Sequence, residues 1–357
     1  MTTTTDLVVR PMGSEADLKL FKAAFHRNGY EKSLEGLRWQ YLETPHEKTY
    51  VDFIVDEEHD PARLAAIYAS FPVRFDFGGE TVMGLQSLDT LVDKDYRRQG
   101  LFGRSATSLF ERAAADGVRF IYGFPNDQSA RGFFGKLKWE SLDPLPFLIK
   151  PLRANYFLGR LGPLAGLGER LPSISLTRGS SARIPSRYGV DDTLRFDERH
   201  DHLWEAFAAD INVAVRRDQQ YLRWRFEEKP ETYQMMSLTV GEEVVAYVVY
   251  TIQDKHDGRI GYVMEYIYHP QHRDAGHRLL RKVVNSMATA ECDVVLAWNF
   301  AHSPNHEGYE ANNFLPFPER LRPIKLHVGV RPLASKVPEL LLDRRNWYIS
   351  YCDSDTV

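Results

Sequence analysis

Between Asp89 and Arg104 the chain reads DTLVDKDYRRQGLFGR. A β-type run, Leu85 to Val92, ends in a turn. Arg97-Arg98-Gln99-Gly100 then opens a run that reads as helix from Leu101 to Ala115. A glycine-bearing loop feeding a helix N-terminus is a device for holding phosphate. Successive backbone N–H groups converge on the anion, the helix dipole favours negative charge, and flanking arginines add Coulomb attraction. Asp89, at the mouth of the strand, supplies a carboxylate that could accept a proton or anchor an ammonium. These residue types in this order point to capture of a phosphorylated ligand beside a proton acceptor.

Arg-x-x-Gly after a strand resembles the core signature of the GNAT acyltransferases. A second stretch, Tyr122-Gly123-Phe124-Pro125-Asn126 followed by Ser129 and Phe133-Phe134, is similar to that family's downstream element. The resemblance implies that the backbone of Thr90, Leu91 and Val92 pairs with the pantetheine arm of coenzyme A. It implies that Arg97, Arg98, Gln99, Gly100, Leu101, Phe102 and Gly103 surround the pyrophosphate, with Asn126, Ser129 and Phe134 completing the site. A backbone N–H near Leu91 would stabilise the oxyanion. Phe102 stands where the family usually has Gly or Ala. Phe134 stands where it often has a tyrosine that protonates the leaving thiolate, and a phenyl ring cannot donate a proton. Tyr122, Ser129 or solvent would then do so, since a thiol of pKa about 8–9 leaves readily.

The frame occurs twice. Leu37-Arg38-Trp39, followed by Pro45 and Tyr50, is matched by Leu222-Arg223-Trp224, followed by Pro230 and Tyr233. Asp89 is matched by Glu265, and Arg97 to Gly100 by Arg273 to Gly276, each partner 176 positions downstream. Two matches in the same order argue for duplication of one αβ unit. Glu265 is therefore the second candidate for proton transfer or amine binding. In the second copy Asp274 would repel a pyrophosphate, so that unit is expected not to bind coenzyme A. Its surface around Trp298, Asn299 and His302 is the expected acceptor side. Trp39 and Trp224 read as helix-to-sheet packing residues.

The elements that must position these groups are legible at coarse resolution. The first unit reads as a strand near 6–10, helices across 14–42 and a strand at 49–55. A long hairpin, Arg63 to Phe77 and Thr81 to Val92, turns at Gly78-Gly79. Helix 101–115 and a buried strand, Val118 to Phe124, follow, and that crossover requires parallel pairing. A short helix, Gln128 to Leu137, and a strand, Phe147 to Leu152, close the unit. The second unit repeats this from about residue 184: helices at 201–209 and 217–226, strands at 232–239, 243–252 and 260–268, and a helix at 274–289. Asn346 to Tyr348 reads as a last strand, and Asp353-Ser354-Asp355 as a solvated acidic tip.

Composition sets outer limits. The 357 residues suit two domains, and 43% hydrophobic with 26% charged residues is that of a chain able to bury real cores. A net charge of −4 gives no sign of nucleic-acid binding. Two cysteines, Cys292 and Cys352, suit a reducing compartment and no metal site is evident, since His302 and His306 lack a third ligand. No apolar run spans a membrane and no signal peptide is evident, which reads as cytoplasmic.

The expectation is an α/β (α+β mixed-sheet) protein of two tandem GNAT-like domains, each a mixed central β-sheet flanked by helices. Residues 1–152 form the acyl-CoA-binding domain, 153–183 a connection partly helical around 154–161, and 184–357 a degenerate acceptor-side domain. By the resemblance, the function is N-acyl transfer from acetyl-CoA, or another acyl-CoA, to a primary amine by direct attack. The acceptor would be a small molecule such as an amino sugar or aminated metabolite, with Asp89, Glu265 and Tyr122 as catalytic candidates. The alternatives are a non-catalytic acyl-CoA-binding protein and an acyltransferase with a tRNA or carrier-protein donor.

Overall fold

A computed structural model describes residues 7–59, 62–154, 182–322, 324–334 and 339–357. The first sheet contains β1 (Leu7–Pro11), β2 (Tyr50–Asp56), β3 (Arg63–Phe77), β4 (Glu80–Val92), β5 (Phe120–Gly123) and β6 (Glu140–Ser141). The second contains β7 (Phe147–Pro151), β8 (Gly189–Asp191), β10 (Gln234–Val240), β11 (Glu243–Lys255), β12 (Gly258–Tyr268), β13 (Val294–Trp298) and β14 (Leu315–Pro316). Two strands from the later half, β9 (Val213–Val215) and β15 (Gly329–Pro332), join the first sheet.

The orders are β1-β2-β3-β4-β5-β15-β6, with β9 on β3, and β14-β7-β13-β12-β11-β10-β8. The two units exchange strands. Phe147–Pro151, expected to close the first unit, instead pairs antiparallel with Val294–Trp298 in the second sheet. Gly329–Pro332 returns to pair with β5. The connection expected at 153–183 lies outside the described residues from 155 to 181.

Local sequence explains the supports. The β3–β4 hairpin turns at Gly78 and Gly79, both at positive φ, where a side chain would be strained. Helix α1 (Glu15–Arg27) and helix α2 (Leu34–Tyr41) cover one face of the first sheet, α1 burying Leu18, Phe21, Ala24 and Phe25 at helical spacing. Helix α3 (Leu101–Ala115) turns Leu101, Ser105, Ala106, Leu109, Phe110 and Ala113 inward. Each large apolar side chain among them contributes roughly 1.5–3 kcal/mol on burial. Helix α4 (Asp127–Ala130) runs into a π-turn, Arg131–Lys136.

In the second unit, helix α5 (Glu198–Phe207) and helix α6 (Gln219–Leu222) stand where α1 and α2 do, and helix α7 (Arg273–Thr289) where α3 does. Trp39 and Trp224 are both buried in the core, Trp224 edge-on to Phe71 of β3 at 5.1 Å. Their indoles stack on each other across the junction of the units, centroids 4.7 Å apart.

The last residues correct the expectation of a strand and a solvated tip. Tyr348 to Ser354 is buried, with a 3-10 turn at Tyr351–Asp353. This tail carries aromatic and aliphatic side chains that a solvated segment would expose, and the junction between the units is where they lose water.

Candidate active site

Strands β4 and β5 pair in parallel only from Gly84–Ser87 to Phe120–Gly123. Beyond that they part, and β4 continues to Val92 with one edge free. Between the pairs Ile67–Leu91 and Ala69–Leu88, one β3 residue, Tyr68, faces two on β4, Asp89 and Thr90, so β4 bulges here and Asp89 takes φ +46°. Bulges re-aim side chains next to active sites. The result is a cleft of about 420 Å³ whose walls include Leu88, Thr90, Leu91, Phe124, Asn126 and Phe133. Lys32 and Asp355 also face it.

Past Leu91 the chain leaves the cleft for the loop before α3, and none of the expected residues Arg97–Gly103 lines the cleft itself. Gly100 caps the helix at φ +76°, and Arg98 is also left-handed, at φ +68°. Nothing lies within 4 Å of a Cβ built on Gly100, so the backbone conformation, and not space, calls for glycine. Arg97, Arg98, Gln99 and Gly100 are exposed. The first-turn N–H groups of a helix have no partner within it, which is the geometry an anion uses. Phe102 turns away from the loop. Its ring packs on Gly132, Phe133 and Tyr68, so it leaves the helix start open.

Within the cleft, at one end, Asp89 accepts a hydrogen bond from Tyr41 Oη at 2.9 Å and pairs with Lys32 Nζ at 2.6 Å. Asp355 shares this end of the cleft. It is reached by solvent but surrounded by protein. Burial and then the neighbouring Asp89 push its carboxyl above the ordinary value, with Lys32 opposing. Unlike Asp89, Asp355 is in no ion pair within 4.0 Å among the described residues.

The remaining expected site residues divide. Asn126 and Ser129 line the cleft, where Asn126 Oδ1 caps α4 by accepting the Ser129 N–H at 3.0 Å. Phe134 does not line it. Its ring packs over Gly329 and beside His327, and Phe133 faces the cleft instead. Tyr122 is 1% exposed, and its hydroxyl donates to Gln86 Oε1 at 3.0 Å. Alternation along β5 turns it into the core, so it reaches no leaving group in the cleft.

Glu265 is wholly buried. Its carboxylate takes Arg217 Nε at 2.7 Å, Tyr348 Oη at 2.5 Å and Ser350 Oγ at 2.9 Å. Arg217, equally buried, also donates to Asp353 at 2.7 Å. Glu265 and Asp89 thus hold matching places in the repeat but different environments. One anchors the tail; the other faces the cleft. Arg225 and Tyr221 donate to backbone carbonyls of the same tail, at Cys352. These bonds fix the segment that carries Asp355.

Sequence reasoning missed Lys32, which lies on a segment without periodicity, and weighed the tip holding Asp355 as a pocket wall for a cation before preferring a solvated tail. The one available signal was an acidic tip attached to a strongly apolar tail. In the second unit the helix starts at Arg273, so no loop remains. A Cβ on Gly276 would meet the Tyr268 side chain at 2.7 Å, and this glycine therefore serves close packing. His302 contacts the Trp347 carbonyl, and Asn299 is buried against Asn305 and His306.

A larger hollow of about 670 Å³ lies elsewhere, at the junction of the units. Its arginines Arg74 and Arg216 already pair with Asp218 and Asp76. Among the described residues no helix is long and apolar enough to cross a membrane.

Residues 13–142 match the family model for the acetyltransferase (GNAT) domain. This stretch is a GNAT domain. Solved structures extend the likeness to 92% of the chain at the level of fold. One is a conserved protein of unknown function from Enterococcus faecalis V583, described as a probable N-acyltransferase. It is 13% identical with TM-score 0.59, over 92% of this chain and 73% of that one. Saccharomyces cerevisiae N-myristoyltransferase with bound myristoyl-CoA is 12% identical with TM-score 0.57, over 92% and 83%. A GCN5-related N-acetyltransferase from Anabaena variabilis ATCC 29413 is 11% identical with TM-score 0.60, over 92% and 73%. No curated protein matches in sequence. The protein has the GNAT acyltransferase fold, as two tandem GNAT-like units.

Proposed function

We propose that this protein is an acyl-CoA-dependent N-acyltransferase that moves an acetyl group to a primary amine by direct attack. The observation that carries the reading is the parting of β4 and β5, which opens a cleft faced by two carboxylates, with β4 leading on into a glycine loop suited to an anion. In this reading Thr90, Leu91 and Val92 offer backbone to the pantetheine arm. Arg97 to Gly103 hold the pyrophosphate, and a Leu91 N–H faces the developing oxyanion.

Asp89, held by Lys32 and Tyr41, orients the substrate ammonium, and Asp355 takes the proton that makes it nucleophilic. A carboxyl raised by its surroundings is the better base near neutral pH. Ser129 or water returns a proton to the thiolate. The small cleft favours a small-molecule amine over a protein acceptor.

Non-catalytic acyl-CoA binding is the second reading, favoured by the burial of Tyr122 and the place of Phe134 away from the cleft. Titration with acetyl-CoA, followed by a thiol-release assay over an amine panel, separates the two. Saturable binding with amine-dependent release supports the transferase. Binding without release by any amine supports the second reading, and no binding of any acyl-CoA ends both.

A further inference from the structure

The second unit repeats the parting of strands. Strands β12 and β13 pair in parallel only from Ile260–Tyr262 to Val294–Leu296 and then diverge. The tail partly fills the opening: Tyr351 stacks on Trp298 at 4.4 Å and meets Tyr262 edge-on at 5.5 Å. What stays open is a cavity of about 210 Å³, walled by Phe147, Leu296, Trp298, Phe317 and Leu326 among others. An engineered apolar cavity of about 150 Å³ admits benzene, so a ring or branched aliphatic group fits here and a folded peptide does not.

Three contacts put this cavity directly behind the catalytic cleft. Phe124 of the cleft lies 5.0 Å from Trp298 of the cavity. Asn126 of the cleft bridges Leu326 of the cavity. Asp355 faces the cleft while the next residue, Thr356, faces the cavity. Consecutive residues of one backbone stretch thus border the two hollows.

The wall carries two cationic side chains, Lys255 and Arg322. The Arg322 guanidinium lies 4.3 Å over the Phe147 ring and donates to the Phe317 carbonyl at 2.7 and 2.9 Å. No carboxylate among the described residues lies within 4.0 Å of it. A guanidinium satisfied by the Phe317 carbonyl, with Glu319 attracting it only from beyond 4.0 Å, can still take a carboxylate.

We infer that this cavity holds the body of the acceptor, and that the acceptor is an amine bearing an aromatic or branched aliphatic group and a carboxylate. The inference rests on the transferase reading and deepens it. The ring sits against Trp298, the carboxylate meets Arg322, and the amine points toward the side of the cavity where Thr356 borders it and Asp355 borders the cleft. The degenerate copy of the donor cleft thereby becomes the acceptor subsite.

The test uses the full chain with acetyl-CoA and three amines: phenylalanine, phenethylamine without the carboxylate, and alanine without the ring. Phenylalanine should exceed both others in kcat/KM by about tenfold or more. Arg322→Gln should raise KM for phenylalanine about ten- to a hundredfold, as expected for a lost charge-assisted contact, and leave phenethylamine unchanged. Ile324→Trp, a substitution at a half-exposed rim position, should weaken both aromatic amines and spare alanine. Acetyl-CoA affinity, measured on each variant, should not move.

Direct binding of 3-phenylpropionate, which has no amine, reads the cavity independently of turnover. Binding to wild type but not to Arg322→Gln upholds the subsite even if no amine is acylated and the transferase reading fails. Turnover indifferent to ring and carboxylate overturns the inference while leaving the transferase reading intact. So does a change in acyl-chain preference on Ile324→Trp with amine preference unaltered, because the cavity would then hold the acyl tail.

Discussion

The indoles of Trp39 and Trp224 stack at 4.7 Å and 14°, and each donates its N–H to the other's backbone carbonyl, at 2.7 and 3.1 Å. The repeated tryptophans of the two units therefore form one reciprocal contact at their junction. Trp224→Ala should cost about 3–5 kcal/mol as a large-to-small change in a buried site. The contact between the rings should appear as a coupling of about 0.5–1.5 kcal/mol between Trp39→Leu and Trp224→Leu. A double-mutant cycle by chemical denaturation measures it, and additive losses would mean that the two rings act separately.

Gly100 is held at φ +76° with open space around it. Gly100→Ala should cost about 1–2 kcal/mol of backbone strain and weaken acetyl-CoA binding as the loop gives way. Gly100→Asn tolerates the left-handed region and should bind more tightly than the alanine variant. Equal affinities for the two, by calorimetry, would remove the conformational argument.

Asp355 and Asp89 separate by pH profile. The base is active when deprotonated, so activity rises with pH through its pKa. Because burial and Asp89 push Asp355 up, that acid limb lies above the ordinary carboxylate position. Asp355→Asn should lower kcat about 10²–10⁴-fold and erase the limb. Asp89→Asn removes the neighbouring negative charge and should move the limb to lower pH. A profile unchanged in both variants would take these carboxylates out of proton transfer.

Arg217 holds two buried carboxylates, Glu265 and Asp353, each at 2.7 Å. Arg217→Met strands both charges in the core and should destabilise the protein by about 3–5 kcal/mol. Glu265→Gln, which preserves shape, should lower stability yet leave the pH–rate profile in place. Loss of the acid limb in a folded Glu265→Gln protein would return Glu265 to the mechanism.

His327 ties β15 to the start of α4, contacting Asp143 at 2.5 Å and Asp127 at 2.9 Å. Burial lowers its pKa, but the hydrogen bonds to Asp143 and Asp127 outweigh this and the net shift is upward. A group raised in the folded state stabilises fully below its unfolded pKa, about 6.5, and the contribution fades as pH climbs through the folded value. His327→Gln should therefore reduce Tm more at pH 5.5 than at pH 9. An equal loss at both would show that the histidine acts only as a neutral packing group.

Much of this was written locally. The 3.6-residue spacing of Leu101, Ser105, Leu109 and Ala113 marks α3, and Gly78-Gly79 between alternating runs marks the hairpin. The Arg97–Gly100 loop is a local conformation, so its residues and order sufficed to find it. The repeat of Asp89 and Glu265 was equally visible, but their environments were not. Glu265 is closed off by Tyr348 and Ser350, residues more than 80 positions away.

The tertiary structure alone decided the rest. Strands as short as Phe147–Pro151 and Gly329–Pro332 carry the same signal whichever edge they join. The exchange between sheets is set by the edges left open after the longer strands have paired. The tail has no period to read, and its course follows from burying Tyr348, Ile349 and Tyr351 while pairing Asp353 with Arg217. That course brings Asp355 to Asp89. Local order therefore determined the elements and the donor loop, whereas long-range burial and charge pairing assembled the carboxylate end of the cleft.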